Sequence, residues 1–176
     1  MENINKYFIE KEECTCEGEC EVCRCSGAKR GFKVVRDECR KHPDVEIQLP
    51  TRGTSKAMGY DFYSPCDITI KPGQIGKIWT DVNAYMQDDE CLIINIRSSM
   101  GGKVMLTSVQ GWVDADYILA RNNGNIGFFL LNISDEDFVI KKGDRIGQGA
   151  FFNYLVADNG NTDTKRTGGF GSTNEK

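Results

Sequence analysis

GFFLLNISDEDFVIKKGDRIGQGAFF, residues 127–152, is the stretch that decides the fold. It contains three short apolar runs, at 127–131, 138–140 and 149–152, and Lys142-Gly143-Asp144 forms a turn before the last of them. Apolar runs of this length between turn signals are typical of β-strands, and no helical period is sustained. The stretch therefore predicts successive short strands.

The same pattern continues through the chain from Phe32 onward. We predict further strands at 32–35, 45–49, 91–96 and 104–106. Residues 67–79 predict a hairpin, because Pro72-Gly73 separates two apolar runs. Many short strands with frequent turns predict an all-β fold, either a barrel or a jelly-roll sandwich.

Composition limits the kind of protein this is. The chain has 176 residues, 39% hydrophobic and 27% charged, which fits one globular domain with short appendages. The net charge of -4 gives no cationic field for a nucleic-acid partner. The sequence has no run long enough to span a membrane and no apolar secretion signal at its start. We therefore expect a cytoplasmic protein with no nucleic-acid or membrane partner.

Three regions follow from the changes in composition. We expect an acidic, Cys-rich appendage at 1–30, a β domain at 31–156 and a mobile C-terminal arm at 157–176. Cys20-x-x-Cys23 together with Cys39-x-x-His42 has the spacing of a structural zinc knuckle. The alternative is a reduced, acidic tail, as expected for thiols inside a cell.

Several segments break the alternation of the β domain. Arg97-Ser98-Ser99 lies at a strand end before glycines, which suits either a phosphate cradle or a capped turn. If the backbone at 111–117 is extended, Asp114 and Asp116 lie on one face. Two such carboxylates suit a general base, a metal site or a polar edge that faces water. In the tail, cations precede Phe170, and glycines flank its ring. Glycines allow close approach to a ligand, and the ring suits a flat base.

In this order, the segments resemble the five motifs of the trimeric, all-β deoxyuridine triphosphatase (dUTPase) family. The resemblance covers about residues 32–176 and rests on Gly59-Tyr60-Asp61-Phe62-Tyr63-Ser64, Arg97-Ser98-Ser99, Gly111-Trp112-Val113-Asp114-Ala115-Asp116-Tyr117, Gly143-Asp144-Arg145-Ile146-Gly147-Gln148 and the tail from Arg166 to Thr173. It implies a distorted jelly-roll barrel of the β-clip type and a homotrimer with shared active sites. It also implies hydrolysis of dUTP to dUMP and pyrophosphate with Mg²⁺, which the substrate phosphates mainly hold.

The resemblance also implies residue roles. Asp114 would activate the attacking water, Asp61 would order the catalytic centre, and Arg97 and Ser98 would hold the phosphate chain. Tyr117 would pack under the deoxyribose, where a 2′-hydroxyl has no room. Phe170 would stack on uracil, which the backbone of the 106–111 hairpin would recognise. Either Lys165 or Arg166 would bind the γ-phosphate. The remaining substrate-binding candidates are Ser99, Leu106, Val109, Gly111, Gln148, Gly171 and Ser172.

Two related functions and one departure from the family pattern complete the prediction. A dCTP deaminase needs a glutamate where this chain has Phe129, so deamination is disfavoured. A non-catalytic dUTP-binding, regulatory trimer would use many of the same groups as an enzyme. After Tyr117, residues 118–124 form an insertion relative to the family, and we expect it to be a surface excursion.

Overall fold

The computed structural model describes residues 28–160, 163, 164, 166, 168 and 169. Within them, regular structure consists of strands and three short 3₁₀ turns, at Asp37–Cys39, Ser98–Met100 and Ala115–Leu119. The strands are β1 (Gly31–Val34), β2 (Thr51–Arg52), β3 (Tyr60–Tyr63), β4 (Ile68–Ile70), β5 (Ile75–Trp79), β6 (Val82–Tyr85), β7 (Glu90–Asn95), β8 (Val104–Leu106), β9 (Gly111–Asp114), β10 (Gly127–Asn132), β11 (Phe138–Ile140) and β12 (Arg145–Asn153). The predicted all-β class is confirmed.

The largest sheet is antiparallel and has the order β2-β3-β12-β7-β9. Its long strand β12 lies between β3 and β7, so Gln148 is opposite both Asp61 and Asn95. Smaller antiparallel sheets have the orders β5-β10-β8, β1-β6 and β11-β4. Sequence motifs far apart in the chain therefore meet through β12 and β7.

The core forms where the inward faces of these sheets meet. Strand β10 alternates between half-buried and buried residues, and Phe128 and Leu130 are fully buried. Phe128 packs against Phe62 of β3, with ring centroids 5.3 Å apart. A side chain at Gly147 would collide with the Phe128 ring and lie 2.8 Å from the carbonyl oxygen of Asn95. Only glycine therefore lets β12 cross this ring closely.

Two predictions about strands are wrong. Residues 45–49 alternate as a strand does but form none, and Arg40 instead donates a side-chain hydrogen bond to the carbonyl of Val45. The 67–79 hairpin has its strands and its turn, in which Gln74 N–H donates to Lys71 O at 3.0 Å. However, β4 pairs with β11 and β5 pairs with β10. The turn leads the chain from one sheet into another.

The predicted surface excursion at 118–124 is also wrong. Ile118, Ala120 and Asn123 are buried, at 7%, 1% and 1% exposure. The segment folds back from the end of the third 3₁₀ turn and lies against β6. The error has a physical cause, because the asparagines of the loop are polar in sequence but form hydrogen bonds inside the protein.

Candidate functional site

A pocket of about 320 Å³ opens beside β9 and the turn that precedes it. Its described lining includes five of the predicted site residues: the catalytic candidate Asp114 and the substrate-binding candidates Leu106, Gly111, Tyr117 and Arg166. Successive side chains of β9 point to opposite faces, so Val113 is buried in the core and Asp114 is exposed. The 3₁₀ turn that follows then buries Tyr117, which is 8% exposed. Local backbone geometry thus places a carboxylate and an aromatic ring at one opening.

The turn between β8 and β9 forms another wall of the pocket. Its backbone closes tightly, since Val109 N–H donates to Leu106 O at 2.9 Å and Gln110 N–H donates to Ser108 O at 2.7 Å. Val109 has a positive φ of 64° and is 69% exposed at the tip of the turn. The described lining includes Thr107 and Ser108 but not Val109. A wall of this kind can offer main-chain donors and acceptors to a flat polar ligand.

Arg166 lines the pocket and pairs with two exposed carboxylates, those of Asp114 and Asp116. Its guanidinium contacts Asp114 Oδ2 closely and donates from Nε to Asp116 Oδ1 at 2.6 Å. Burial opposes the charge of Arg166, but the bonds and charges of Asp116 and Asp114 outweigh it and raise its pKa. The guanidinium also lies 5.9 Å from the Tyr117 ring centroid. Arg166, predicted as a phosphate ligand, here neutralises the predicted base.

Gly169 completes this side of the pocket. A Cβ atom at that position would lie 2.5 Å from Cε2 of Tyr117. The absence of a side chain thus lets the tail approach the tyrosine ring closely. Four other predicted tail residues lie outside the described residues: Lys165, Phe170, Gly171 and Ser172.

A second cluster lies around Asp61 on β3. This carboxylate is 7% exposed and accepts hydrogen bonds from Arg97 Nε at 3.1 Å and Arg145 Nη1 at 3.2 Å. Gln148 lies opposite Asp61 on β12. The exposed Ser98 and Ser99 begin the 3₁₀ turn directly after Arg97. The cluster joins two cations to neutral donors, a combination that suits phosphate oxygens.

The predicted site therefore falls into two groups. The pocket has Leu106, Gly111, Asp114, Tyr117 and Arg166 in its described lining, and that lining includes none of the predicted residues of the second cluster. Sequence reasoning did not single out Arg145, although the Gly-Asp-Arg segment contains it. It also missed Asn122, whose side chain donates to the Tyr117 hydroxyl at 2.8 Å.

The described residues show no group of three or more His, Cys, Asp or Glu side chains that could hold a metal ion. The Cys39 thiol is buried and donates to the carbonyl oxygen of Arg121 at 3.4 Å, while His42 is half-buried. Cys20 and Cys23 lie outside the described residues. The zinc knuckle therefore stays a prediction, and a metal there would have to draw Cys39 away from Arg121.

No helix in the described ranges is long and apolar enough to cross a membrane.

Comparison with known proteins identifies the family. The dUTPase family model matches residues 45–174. The deoxyuridine 5'-triphosphate nucleotidohydrolase of Lactococcus lactis subsp. lactis (strain IL1403) is 41% identical over 150 residues, which cover 82% of this chain and 97% of that protein. The crystal structure of the dUTPase from Streptococcus mutans aligns with a TM-score of 0.63 and 32% identity, covering 73% of this chain and 98% of that one. The chain belongs to the dUTPase family, as its five motifs predicted.

A more distant structure shares the fold. A mutant dUTPase from phage phi11 of S. aureus aligns with a TM-score of 0.61 and 16% identity, covering 78% of this chain and 98% of that one. That structure is described as revealing the coordination of a structural Mg(II) ion.

Proposed function

We propose that this protein is an enzyme that hydrolyses dUTP to dUMP and pyrophosphate, with water attacking the α-phosphorus. The reaction would supply dUMP and limit the entry of uracil into DNA. Family membership and the named relatives support the proposal. The observation in the structure that supports it best is the pocket in which the exposed carboxylate of Asp114 lies beside the ring of Tyr117.

Asp114 orients the attacking water and accepts its proton. An aspartate suffices for this role when nearby cations absorb the charge that develops on the phosphate. Asp114 is exposed at the pocket, so water can reach it once Arg166 moves away. Binding of the triphosphate favours that movement, because its charge offers Arg166 an alternative partner.

The nucleoside occupies the pocket itself. The backbone of residues 106–111 contacts the uracil edge, and Tyr117 packs under the deoxyribose. Steric exclusion at such a wall discriminates strongly against an added group. Phe170 covers the base when the tail closes, a movement of the kind that shields many active sites from water.

The Asp61 cluster binds the phosphate chain. Arg97 donates its Nε hydrogen to Asp61. The Nη groups of Arg97 therefore make the contacts with phosphate oxygens. Ser98, Ser99 and Gln148 add neutral donors from the adjacent turn and strand. Lys165 or Arg166 binds the γ-phosphate.

A homotrimer brings the two clusters together. In one chain the described lining of the pocket includes no residue of the Asp61 cluster, although hydrolysis needs both. In the assembly, the Asp114 pocket of one subunit receives the phosphate-binding cluster of another. This arrangement gives shared active sites, and closed symmetry repeats the contact around the ring.

The carboxylates near the pocket are compatible with Mg²⁺. Asp114 and Asp116 offer the oxygen ligands that this ion prefers, but they are only two, and both pair with Arg166. The ion would therefore be held mainly by triphosphate oxygens and water, with these carboxylates nearby. When bound, it would neutralise charge on the phosphates.

Pyrophosphate release from dUTP with Mg²⁺, compared with dCTP, dTTP and UTP, tests the proposal. We expect turnover of dUTP alone, and a loss of about 10²- to 10⁴-fold in kcat for Asp114→Asn. Asp67→Asn is the matched control, because Asp67 is an exposed carboxylate paired with Lys141 at 3.1 Å. Rapid UTP hydrolysis, or an active Asp114→Asn, would contradict the assigned roles. A protein that binds dUTP without turnover would instead be a regulatory trimer.

A further inference from the structure

The hydroxyl group of Tyr117 is held by the loop that follows it in the chain. It donates to the carbonyl oxygen of Asn125 at 3.1 Å and accepts from Asn122 Nδ2 at 2.8 Å. Burial raises the pKa of Tyr117, while the bond from Asn122 and the charge of Arg166 act in the opposite direction. The loop therefore satisfies both the donor and the acceptor capacity of the phenol.

The loop, residues 120–125, has a backbone shaped for this contact. Asn122 Oδ1 accepts from Gly124 N–H at 3.2 Å, so the amide that reaches Tyr117 is fixed at its other end. Gly124 has a φ of 67°, and a Cβ there would lie 2.8 Å from Cα of Ile118. The glycine permits a close return of the chain toward its own start.

Two further asparagines attach the loop to the rest of the protein. Asn123 Oδ1 accepts from Arg36 N–H at 2.9 Å and from Asn83 Nδ2 at 3.1 Å. Asn125 Nδ2 donates to the fully buried carboxylate of Asp81 at 2.8 Å, and its Oδ1 accepts from Asp81 N–H at 3.0 Å. The loop is thus fixed to the body on one side and holds the tyrosine on the other.

We propose that Asn122 is a positioning residue that holds Tyr117 in place and thereby sets the selectivity for 2′-deoxyribose over ribose. The inference rests on the proposed function, in which Tyr117 packs under the sugar. Arg166 and Gly169 lie on the pocket side of the ring, and Asn122 and Asn125 hold its oxygen. With its hydroxyl held by two hydrogen bonds, the ring resists the tilt that would admit a 2′-hydroxyl, and a ring held by Asn125 alone resists that tilt less.

The ratio of kcat/KM for dUTP to that for UTP tests this role. We expect Asn122→Ala to lower the ratio about three- to tenfold, the effect of one lost hydrogen bond, through KM more than kcat. The matched control is Asn153→Ala, an exposed asparagine whose side chain donates to Asp89 at 3.1 Å. The control should leave the ratio unchanged. A ratio in Asn122→Ala equal to that of the wild type would overturn the proposal.

A double-mutant cycle separates positioning from a general loss of structure. Tyr117→Phe keeps the ring and removes the oxygen with both of its hydrogen bonds, so alone it should lower the ratio at least as much as Asn122→Ala does. In that background, Asn122→Ala should change the ratio by less than about twofold, because its partner atom is gone. Fully additive effects would show that Asn122 acts through the loop instead, and the proposal would fail.

A binding measurement keeps the inference distinct from the proposed reaction. Calorimetric titration with dUMP and with UMP measures the same discrimination without hydrolysis. A wild-type protein that binds dUMP in preference to UMP but never cleaves dUTP would refute the reaction alone. A smaller preference for dUMP in Asn122→Ala would then still support the positioning role. Equal loss of dUMP and UMP affinity in Asn122→Ala would refute the positioning role alone.

Discussion

Asp61 is the residue on which the proposed phosphate-binding cluster depends. It is nearly buried and lies between two arginines that approach from different segments, Arg97 after β7 and Arg145 at the start of β12. The single negative charge of Asp61 thus pairs with the positive charges of Arg97 and Arg145, at a position partly removed from water. Loss of such a charge leaves its partners uncompensated, which costs more than the pair itself contributes.

Asp61→Asn should therefore destabilise the fold by about 2 kcal/mol, since both arginines lose their charged partner. Urea unfolding followed by tryptophan fluorescence measures the change. Asp67→Asn serves as the control, because it removes an exposed carboxylate from a surface pair with Lys141. Its effect should be much smaller. Equal midpoints for the two variants would show that the Asp61 cluster adds no more to stability than the surface pair does.

Sequence reasoning found most strands because apolar runs between turn residues report local backbone preference. It could not find their partners, since pairing depends on surfaces that meet only in the folded chain. The 67–79 segment is the example: its turn forms, yet β4 and β5 join different sheets. At 45–49 the alternation is present, but β-structure also needs a neighbouring strand to accept its hydrogen bonds.

In the candidate site, too, local sequence patterns were predictable and contacts between distant segments were not. Asp114 and Tyr117 belong to one short segment, so a single sequence motif predicted both as site residues. Arg145 contacts an aspartate 84 residues away, and no local pattern marks that contact. We expected the insertion at 118–124 to be a surface excursion, and the loop at 120–125 is rich in asparagine, a residue that is usually exposed. Its side chains are instead satisfied internally by Tyr117, Asn83 and Asp81.

At the scale of the loop, Asn125 is the residue whose loss should matter most for stability. Asn125→Ala should cost about 2 kcal/mol, because it leaves the backbone N–H and one carboxylate oxygen of the buried Asp81 without this partner. Chemical denaturation provides the measurement, and Asn153→Ala on the surface provides the comparison. Unchanged stability in Asn125→Ala would mean that the loop does not anchor to the body through this pair.

At the scale of the whole molecule, the proposed sharing of active sites between subunits predicts complementation between inactive chains. Arg97→Ala and Asp114→Asn should each be inactive alone, because they disable different clusters. When the two are co-expressed, some sites receive Asp114 from one chain and Arg97 from the other. Random assembly should then restore about a quarter of wild-type dUTP turnover.

The control for complementation uses a chain with both changes, co-expressed with Asp114→Asn. Every site in those trimers lacks the carboxylate, so turnover should stay absent. Activity restored only in the first mixture would support sites between subunits. Failure of both mixtures, with assembly verified by sedimentation, would place each site within a single chain.

The buried carboxylate of Asp81 also limits how far the N-terminal part of this chain can be shortened without loss of stability. The family match begins at residue 45, but Asp81 accepts hydrogen bonds from the backbone N–H groups of Lys41 at 2.8 Å and His42 at 2.7 Å. A chain trimmed to the family boundary would keep the charge and discard these donors, at a cost of about 3 kcal/mol. The start of the family match is thus not the boundary of folding, and the shortest stable version of this protein has to include Lys41 and His42.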